Sequence, residues 1–258
     1  MVEKEVATVS DIPIIEVKNL TKQFKGLRAV NNVDLTVLTD SITGMIGPNG
    51  AGKTTMFNMV GGFFKPTSGQ IFYKGQNITQ KRPHEYTEMG IGRTFQIMKP
   101  LPNLTVLDNV VSGAFFGLHK PKSLKEAREY AIDTLDFTGL YNKRDILARE
   151  MGTPDQKRLE MARALATKPD VMLLDEVMAG LTPTETDEAI ELIFRIRESG
   201  ITVFMIEHVM RAVVSLCEKI VVLHHGEKIA EGTPEQVMND ERVIEVYLGK
   251  EEEEDNNA

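Results

Sequence analysis

The hydrophobic pattern divides the chain into three stretches. In the first, "IIEVKNL" (14–20) and "VDLTVL" (33–38) alternate apolar and polar positions, the period of strands with one buried face. "ITGMIG" (42–47) is a short apolar run ending in glycine, and "GQIFYKG" (69–75) is bounded by glycines, so both read as strands. A helix is expected between them, opening at Lys53 and running through "MFNMVGGFF". In the middle, about 97–168, the spacing turns helical in "TVLDNVVSGAFFG" (105–117) and "SLKEAREYAIDTLDF" (123–137). Ser123 and Glu126 form a capping box at the start of the second.

The third stretch alternates strand and helix. "VMLLDE" (171–176), "TVFMIEH" (202–208) and "KIVVLHH" (219–225) are apolar up to their ends, as strands buried on both faces of a parallel sheet are. Helices near 183–198 and 209–216 separate them. "HHGEKIAEG" reads as a hairpin around Gly226, and Thr233, Pro234 and Gln236 form a helix start. The expected fold is α/β: a βαβ sheet domain, a mostly β portion at its front, and a helical insertion. Ligands bind at the polar ends of the central parallel strands of such sheets.

Composition narrows the function. The 258 residues are 41% apolar and 26% charged, an ordinary globular balance. The net charge is −8, and five acidic residues sit together at Glu251–Asp255. No basic face is implied, which argues against a nucleic-acid partner. The acidic end reads as a solvated, disordered tail. The single Cys217 excludes a disulfide framework and a cysteine zinc site; it reads as a small buried residue in a reducing compartment. The charged start "MVEKEVATVSDIP" does not read as a signal peptide, and no run reaches the roughly 18 apolar residues of a membrane span.

The chemistry begins at "GPNGAGKTT" (47–55). It matches G-x-x-x-x-G-K-[ST] between a strand and a helix, the context that pattern requires. Gly47, Gly50 and Gly52 allow tight turns, so that the N–H groups of a loop including Pro48, Asn49 and Ala51 face one point. The helix adds the positive end of its dipole. Lys53 reaches the β- and γ-phosphates of a nucleotide, the Thr54 hydroxyl ligates Mg²⁺, and Thr55 lies near the α-phosphate.

"VMLLDE" supplies the second half. Asp175 is the expected partner of the Mg²⁺ site, and Glu176 can orient or deprotonate a water attacking the γ-phosphate. His208 leaves the sheet at the same edge and can donate a hydrogen bond to that phosphate. Gln96, ending "GRTFQ" at the boundary of the helical stretch, can sense the Mg²⁺ or the water. Phe24 is a platform for adenine or else a core aromatic. His224 and His225 read as turn residues without a role.

Taken in order, "GPNGAGKTT", "RTFQ", "LLDE", "AGLTP" and "IEH" resemble the nucleotide-binding subunits of ABC transporters, over about Ile14 to Gly249. "GRTFQ", "AGLTPTET", "GITVFMIEH", "IAEGTPEQV" and "VIEVYLG" are most similar to the LivG-type ATPases of branched-chain amino-acid importers. The resemblance implies a RecA-like P-loop NTPase core with an antiparallel β subdomain and an inserted α-helical subdomain. It implies residues 13–249 as one nucleotide-binding domain (helical part about 97–168), between a flexible start (1–12) and the acidic tail (250–258). Two such subunits sandwich two ATP molecules, each on one subunit's phosphate loop and clamped by the other's L-S-G-G-Q signature. The implied partners are a second ATPase subunit, transmembrane permeases and a substrate-binding protein, with the chain peripheral on the cytoplasmic face of the cell membrane. "IMKPLPNLT" after Gln96 would line the permease-docking groove or belong to the insertion's core.

One departure stands out. The signature position holds Met151-Gly152-Thr153-Pro154-Asp155-Gln156. Gly152 has no hydroxyl for the γ-phosphate, Pro154 has no N–H, and Asp155 adds a negative charge nearby. The same residues make a helix start over 154–167, with Thr153 as N-cap, Pro154 first and Gln156 completing a capping box. Val177 replaces the proline that commonly follows the glutamate but removes no ligand. The expectation is a heterodimer with one competent site: this chain's loop against a partner's intact signature. Export of lipid or lipopolysaccharide, a weakly hydrolysing regulatory subunit, and a soluble repair or translation ATPase are the competing readings. Repair and translation ATPases usually carry a second cassette or a long coiled coil, and this chain has neither.

Overall fold

The computed structural model describes residues 12–94 and 100–248. Among these residues, ten strands form two sheets. The first is antiparallel, in the order β2 (Leu27–Leu38), β1 (Pro13–Phe24), β4 (Ser68–Tyr73), β5 (Gln76–Asn77). The second runs β10 (Glu227–Gly232), β9 (Lys219–His224), β3 (Ile42–Ile46), β8 (Thr202–Ile206), β7 (Val171–Asp175), β6 (Ile91–Arg93). All its neighbours pair in parallel except the β9–β10 hairpin. The continuously apolar runs at β3, β7 and β8 are buried along their whole length, as two covered faces require.

Helices cover this sheet. On one side, α1 (Lys53–Val60) and the antiparallel sheet enclose a core built around Phe57, Met59, Ile71 and Phe204. On the other, α6 (Pro183–Glu198), α7 (Met210–Leu216) and α8 (Pro234–Met238) pack against Ile42, Met172 and Met205. Cys217 lies in this second core, and burial pushes its thiol up to about 12. A third core holds α3 (Val106–Ala114), α4 (Leu124–Phe137) and the outer part of α5 (Thr153–Leu165) together, around Val110, Leu135 and Leu159. The last helix, α9 (Glu241–Leu248), lies near β10 and α8.

Several local expectations shift. The helix after the phosphate loop stops at Val60, because Gly61 and Gly62 turn the chain, Gly62 with φ +78°. Two short elements, α2 (Pro83–Glu88) and β6, go unannounced by any pattern, six and three residues being too few to show a period. Ser123 caps α4 by accepting from the Glu126 N–H at 3.2 Å, but the Glu126 carboxylate accepts from Lys122 rather than closing the box. At α8 the box is complete.

The start of α5 corrects the reading of Thr153 as N-cap. Gly152, with φ −69° and ψ 163°, is the cap residue, and Thr153 is already helical. No side chain caps this helix, and Gln156 instead donates from Nε2 to the Met151 carbonyl at 2.9 Å. Proline stands at the second helical position, which its fixed φ permits; the helix ends at Leu165, two residues before the expected 167.

Candidate functional site

The loop between β3 and α1 is shaped by two glycines that no other residue could replace. A Cβ on Gly47 would lie 2.1 Å from the Leu223 carbonyl oxygen, and one on Gly52 would lie 2.3 Å from that of Ala29. Both have positive φ, +148° and +99°. Gly52 caps α1, whose first turn carries no acidic residue, so the positive end of the helix dipole faces the loop. Lys53 is buried and donates to the carbonyls of Gly47 at 2.7 Å and Pro48 at 2.9 Å. Its ammonium thus sits inside the loop. Thr54 is exposed at the helix start and Thr55 is half-buried beside it.

The loop opens into a cleft of about 470 Å³. Asn49, Gly50, Ala51 and Thr55 line it from the loop, Glu176 and His208 from the strand ends, and Phe24 from the antiparallel sheet. Phe24 is 40% exposed, so of the two sequence readings the core aromatic is excluded. Its ring meets Phe64 edge-on, centroids 5.7 Å apart, with the Lys22 ammonium 5.0 Å from its own centroid. His225, read in the sequence as having no role, also lines the cleft, as does Gly226. The β9–β10 turn brings them there: Gly226 donates to the Ala51 carbonyl at 2.9 Å and accepts from the Asn31 N–H at 2.8 Å. Only strand order could have revealed that contact.

Asp175 ends β7, 2% exposed. One carboxylate oxygen pairs with Arg93 Nη2 at 3.1 Å, and its backbone N–H donates to the Thr94 hydroxyl at 3.1 Å. The other oxygen, Oδ1, is buried with no hydrogen-bond partner among the described residues. Burial pushes this carboxyl above its ordinary value, and the Arg93 guanidinium pulls against it. Arg93, itself stacked within about 5 Å of the Phe57 and Phe63 rings, was not singled out in the sequence. The parallel register of β6 on β7 puts it there.

Glu176 follows with φ +50°, a conformation costly for a residue with a Cβ. Its N–H is tied to the Ile206 carbonyl at 3.0 Å, and its Oε1 lies 2.9 Å from Nε2 of His208. The expected carboxylate and histidine therefore meet directly. Gln96 lies outside the described residues. Among the described residues no cluster of three acidic, histidine or cysteine side chains could enclose a metal alone. The oxygen donors of Thr54 and Asp175, with one carboxylate oxygen unpartnered, fit Mg²⁺, which takes few protein ligands and completes its sphere with phosphate oxygens and water.

At the signature position, Asp155 forms a salt bridge with Lys143. That pairing offsets the repulsion expected from Asp155. The missing donors of Gly152 and Pro154 remain.

These features agree with what the chain is similar to. Residues 30–179 match the ABC transporter family, and residues 227–253 match the branched-chain amino acid ATP-binding cassette transporter family. The chain is 39% identical over 251 residues to the high-affinity branched-chain amino acid transport ATP-binding protein LivG of Escherichia coli K12, covering 92% of this chain and 98% of that protein. It is 40% identical, with the same coverage, to the corresponding protein BraF of Pseudomonas aeruginosa. A crystal structure of an ATP-binding cassette of an ABC transporter in its ADP conformation superposes with a TM-score of 0.84 at 32% identity, covering 92% of this chain and 99% of that one. A nucleotide-binding loop, a buried acidic strand end and this likeness across nearly the whole length converge: the chain belongs to the ABC transporter family as an ATP-binding cassette, an ATPase, in the branch that includes LivG and BraF.

Proposed function

We propose that this chain binds ATP with Mg²⁺ and hydrolyses it to drive an importer of branched-chain or other amino acids, as one half of an asymmetric ATPase pair on the cytoplasmic face of the membrane. The observation that carries the reading is the single cleft into which the phosphate loop, Glu176 and His208 all open. Gly47 to Thr55 hold the phosphates, with Lys53 turning from its loop carbonyls to them. Phe24 stacks on the base. Thr54 and Asp175, with Gln96 completing the set, would hold Mg²⁺, which would neutralise phosphate charge. Glu176 takes a proton from the attacking water, and His208 fixes both Glu176 and the terminal phosphate. The contact between those two side chains supports this division of roles.

The uncapped start of α5 supports asymmetry. Its glycine and proline offer the opposing nucleotide neither hydroxyl nor a full set of N–H groups. A partner with an intact signature completes the site on this chain's loop. A groove of about 420 Å³ beside β6, lined by Phe63, Tyr86, Leu101, Phe116 and Arg163, suits a permease segment, and the helical part of the chain would pass closure to it. A substrate-binding protein would deliver the solute on the far side. Among the described residues no helix is long and apolar enough to cross a membrane.

The test is ATP turnover by the purified chain alone and with a related ATPase subunit and permeases in vesicles loaded for leucine uptake. Turnover and uptake are expected only in the assembled complex. Vigorous turnover by the isolated chain, cooperative in ATP, refutes the asymmetry; turnover in the complex without uptake of any amino acid refutes the assigned cargo.

A further inference from the structure

Behind the cleft lies a carboxylate with no role so far. Glu207 follows β8 and precedes His208, and is 1% exposed. A charged group in that position is costly unless its oxygens are used. Both are. Oε1 accepts the Met178 N–H at 2.8 Å, and Oε2 accepts the His208 N–H at 3.3 Å. One rigid group therefore spans the backbone two residues after Glu176 and the backbone of His208. Lys157, from α5, closes the same segment from the other side. Its ammonium donates to the Glu176 carbonyl at 3.4 Å and to the Ala179 carbonyl.

We propose that Glu207 is a positioning residue for ATP hydrolysis: its single buried carboxylate holds the Glu176 turn and His208 in the register that lets their side chains meet. The inference rests on the reading of Glu176 as the base. Glu176 occupies a strained backbone conformation, which persists only where the surroundings over-determine it. The Ile206 carbonyl fixes its N–H and Lys157 its C=O. Glu207 fixes the chain just beyond. Without that bond the turn can relax and carry the carboxylate away from His208. The phosphate loop does not share this support: Lys53 is held by its own loop, and the loop glycines by β9 and β2. The positioning role therefore acts on the chemical step and spares nucleotide binding. The burial cost points the same way, since the carboxyl is pushed up to about 7 by desolvation, against the backbone bonds and Lys157. An apolar residue would fill the space without that cost, but could not accept two N–H groups.

The experiment compares Glu207→Gln and Glu176→Gln with the wild type, each in the assembled transporter, with nucleotide affinity measured separately on the full chain using a fluorescent ATP analogue. A glutamine offers one acceptor in place of two. Glu207→Gln is expected to lower kcat by about tenfold to a hundredfold, the scale of a displaced catalytic group, while the Kd for nucleotide stays within about twofold. Amide exchange on the wild-type chain gives a second readout, with the Met178 and His208 amides expected to be strongly protected and to open together. A kcat within about twofold of wild type overturns the proposal, as does a Kd that weakens in step with kcat. So does rapid, independent exchange at the two amides, which settles the matter even if the variant does not fold. If Glu176→Gln itself retains full turnover, the assignment of the base is what fails.

Discussion

Restoring the missing donors at the start of α5 should turn this chain into a self-pairing ATPase. The perturbation is Gly152→Ser with Pro154→Gly, made in a Glu176→Gln background so that bound ATP persists. In the structure the α5 start presents an extended Gly152 with no side chain to donate, and a proline with no N–H at the second helical position. The variant adds one hydroxyl and one backbone N–H. Each hydrogen bond to a charged phosphate contributes about 1.5–3 kcal/mol, so the lower bound is about 3 kcal/mol per site, or two decades. A self-pair contains two such sites, which gives about four decades in the dimerisation constant. Local costs are small. Serine is a better N-cap than glycine by a few tenths of a kcal/mol, and losing proline from the first turn costs about 1 kcal/mol at most. Asp155 hardly opposes the gain, because Lys143 already pairs with it.

Sedimentation velocity with and without ATP and Mg²⁺ reads the result. The Glu176→Gln chain alone is expected to remain a monomer in ATP, and the triple variant to become a dimer. If Glu176→Gln alone dimerises fully in ATP, the weak signature is no obstacle and the argument for an asymmetric pair fails. If the triple variant stays monomeric while still binding nucleotide, the missing donors are not what prevents pairing.

Two further outcomes follow from the buried charges. Arg93→Met strands the Asp175 carboxylate, and urea unfolding should show a loss of about 3–5 kcal/mol, the usual cost of removing one partner of a buried pair; a loss under 1 kcal/mol would mean that the pair is not structurally required. Glu207, with its folded pKa raised to about 7 against 4.5 when unfolded, is protonated more readily in the folded state. Wild-type stability relative to Glu207→Gln is therefore highest below about pH 4.5 and falls as pH rises through about 7, by about 3 kcal/mol in all; a difference that stays flat in urea titrations from pH 5 to 8 would refute the burial argument.

Much of this arrangement is legible in the sequence because its parts are local. The loop needs its glycines, lysine and threonine at fixed offsets, and the strand before it and helix after it follow from periodicity. Asp175 and Glu176 were readable because an apolar run delivers them to a sheet edge. What escaped depends on register and strand order. Arg93 reaches Asp175 only because three residues of β6 pair in parallel with β7, a strand too short to show a period. His225 joins the cleft because β9 neighbours β3, which sets its turn beside the phosphate loop. Glu207 looked like one letter of the motif "IEH"; its function as a bridge requires the Met178 N–H from the neighbouring strand's exit. The start of α5 was misplaced by one residue for a different reason. Thr153 and Gly152 can each cap a helix with proline after it, and the extended backbone of Gly152 decides between them.

The same register explains why the site is electrostatically unfinished within one chain. β7 and β8 deliver three carboxylates, Asp175, Glu176 and Glu207, to one sheet edge, and burial raises the first and the last. Arg93 and Lys157 are the cations set against them. A triphosphate entering the cleft brings more negative charge to an edge already rich in it. That addition is favourable only if further positive charge and donors arrive with it. In the proposed site Mg²⁺ would supply the charge next to Asp175, and the α1 dipole would contribute at the loop. On the same reading, His208 is the strand-end residue that would meet the γ-phosphate, and its outer side would remain to be closed. A second subunit's helix start, with its N–H groups intact, has the right polarity to close that side. Hydrolysis would weaken the contact by separating the γ-phosphate from the nucleotide, so the charge imbalance that makes pairing depend on ATP also makes it reversible.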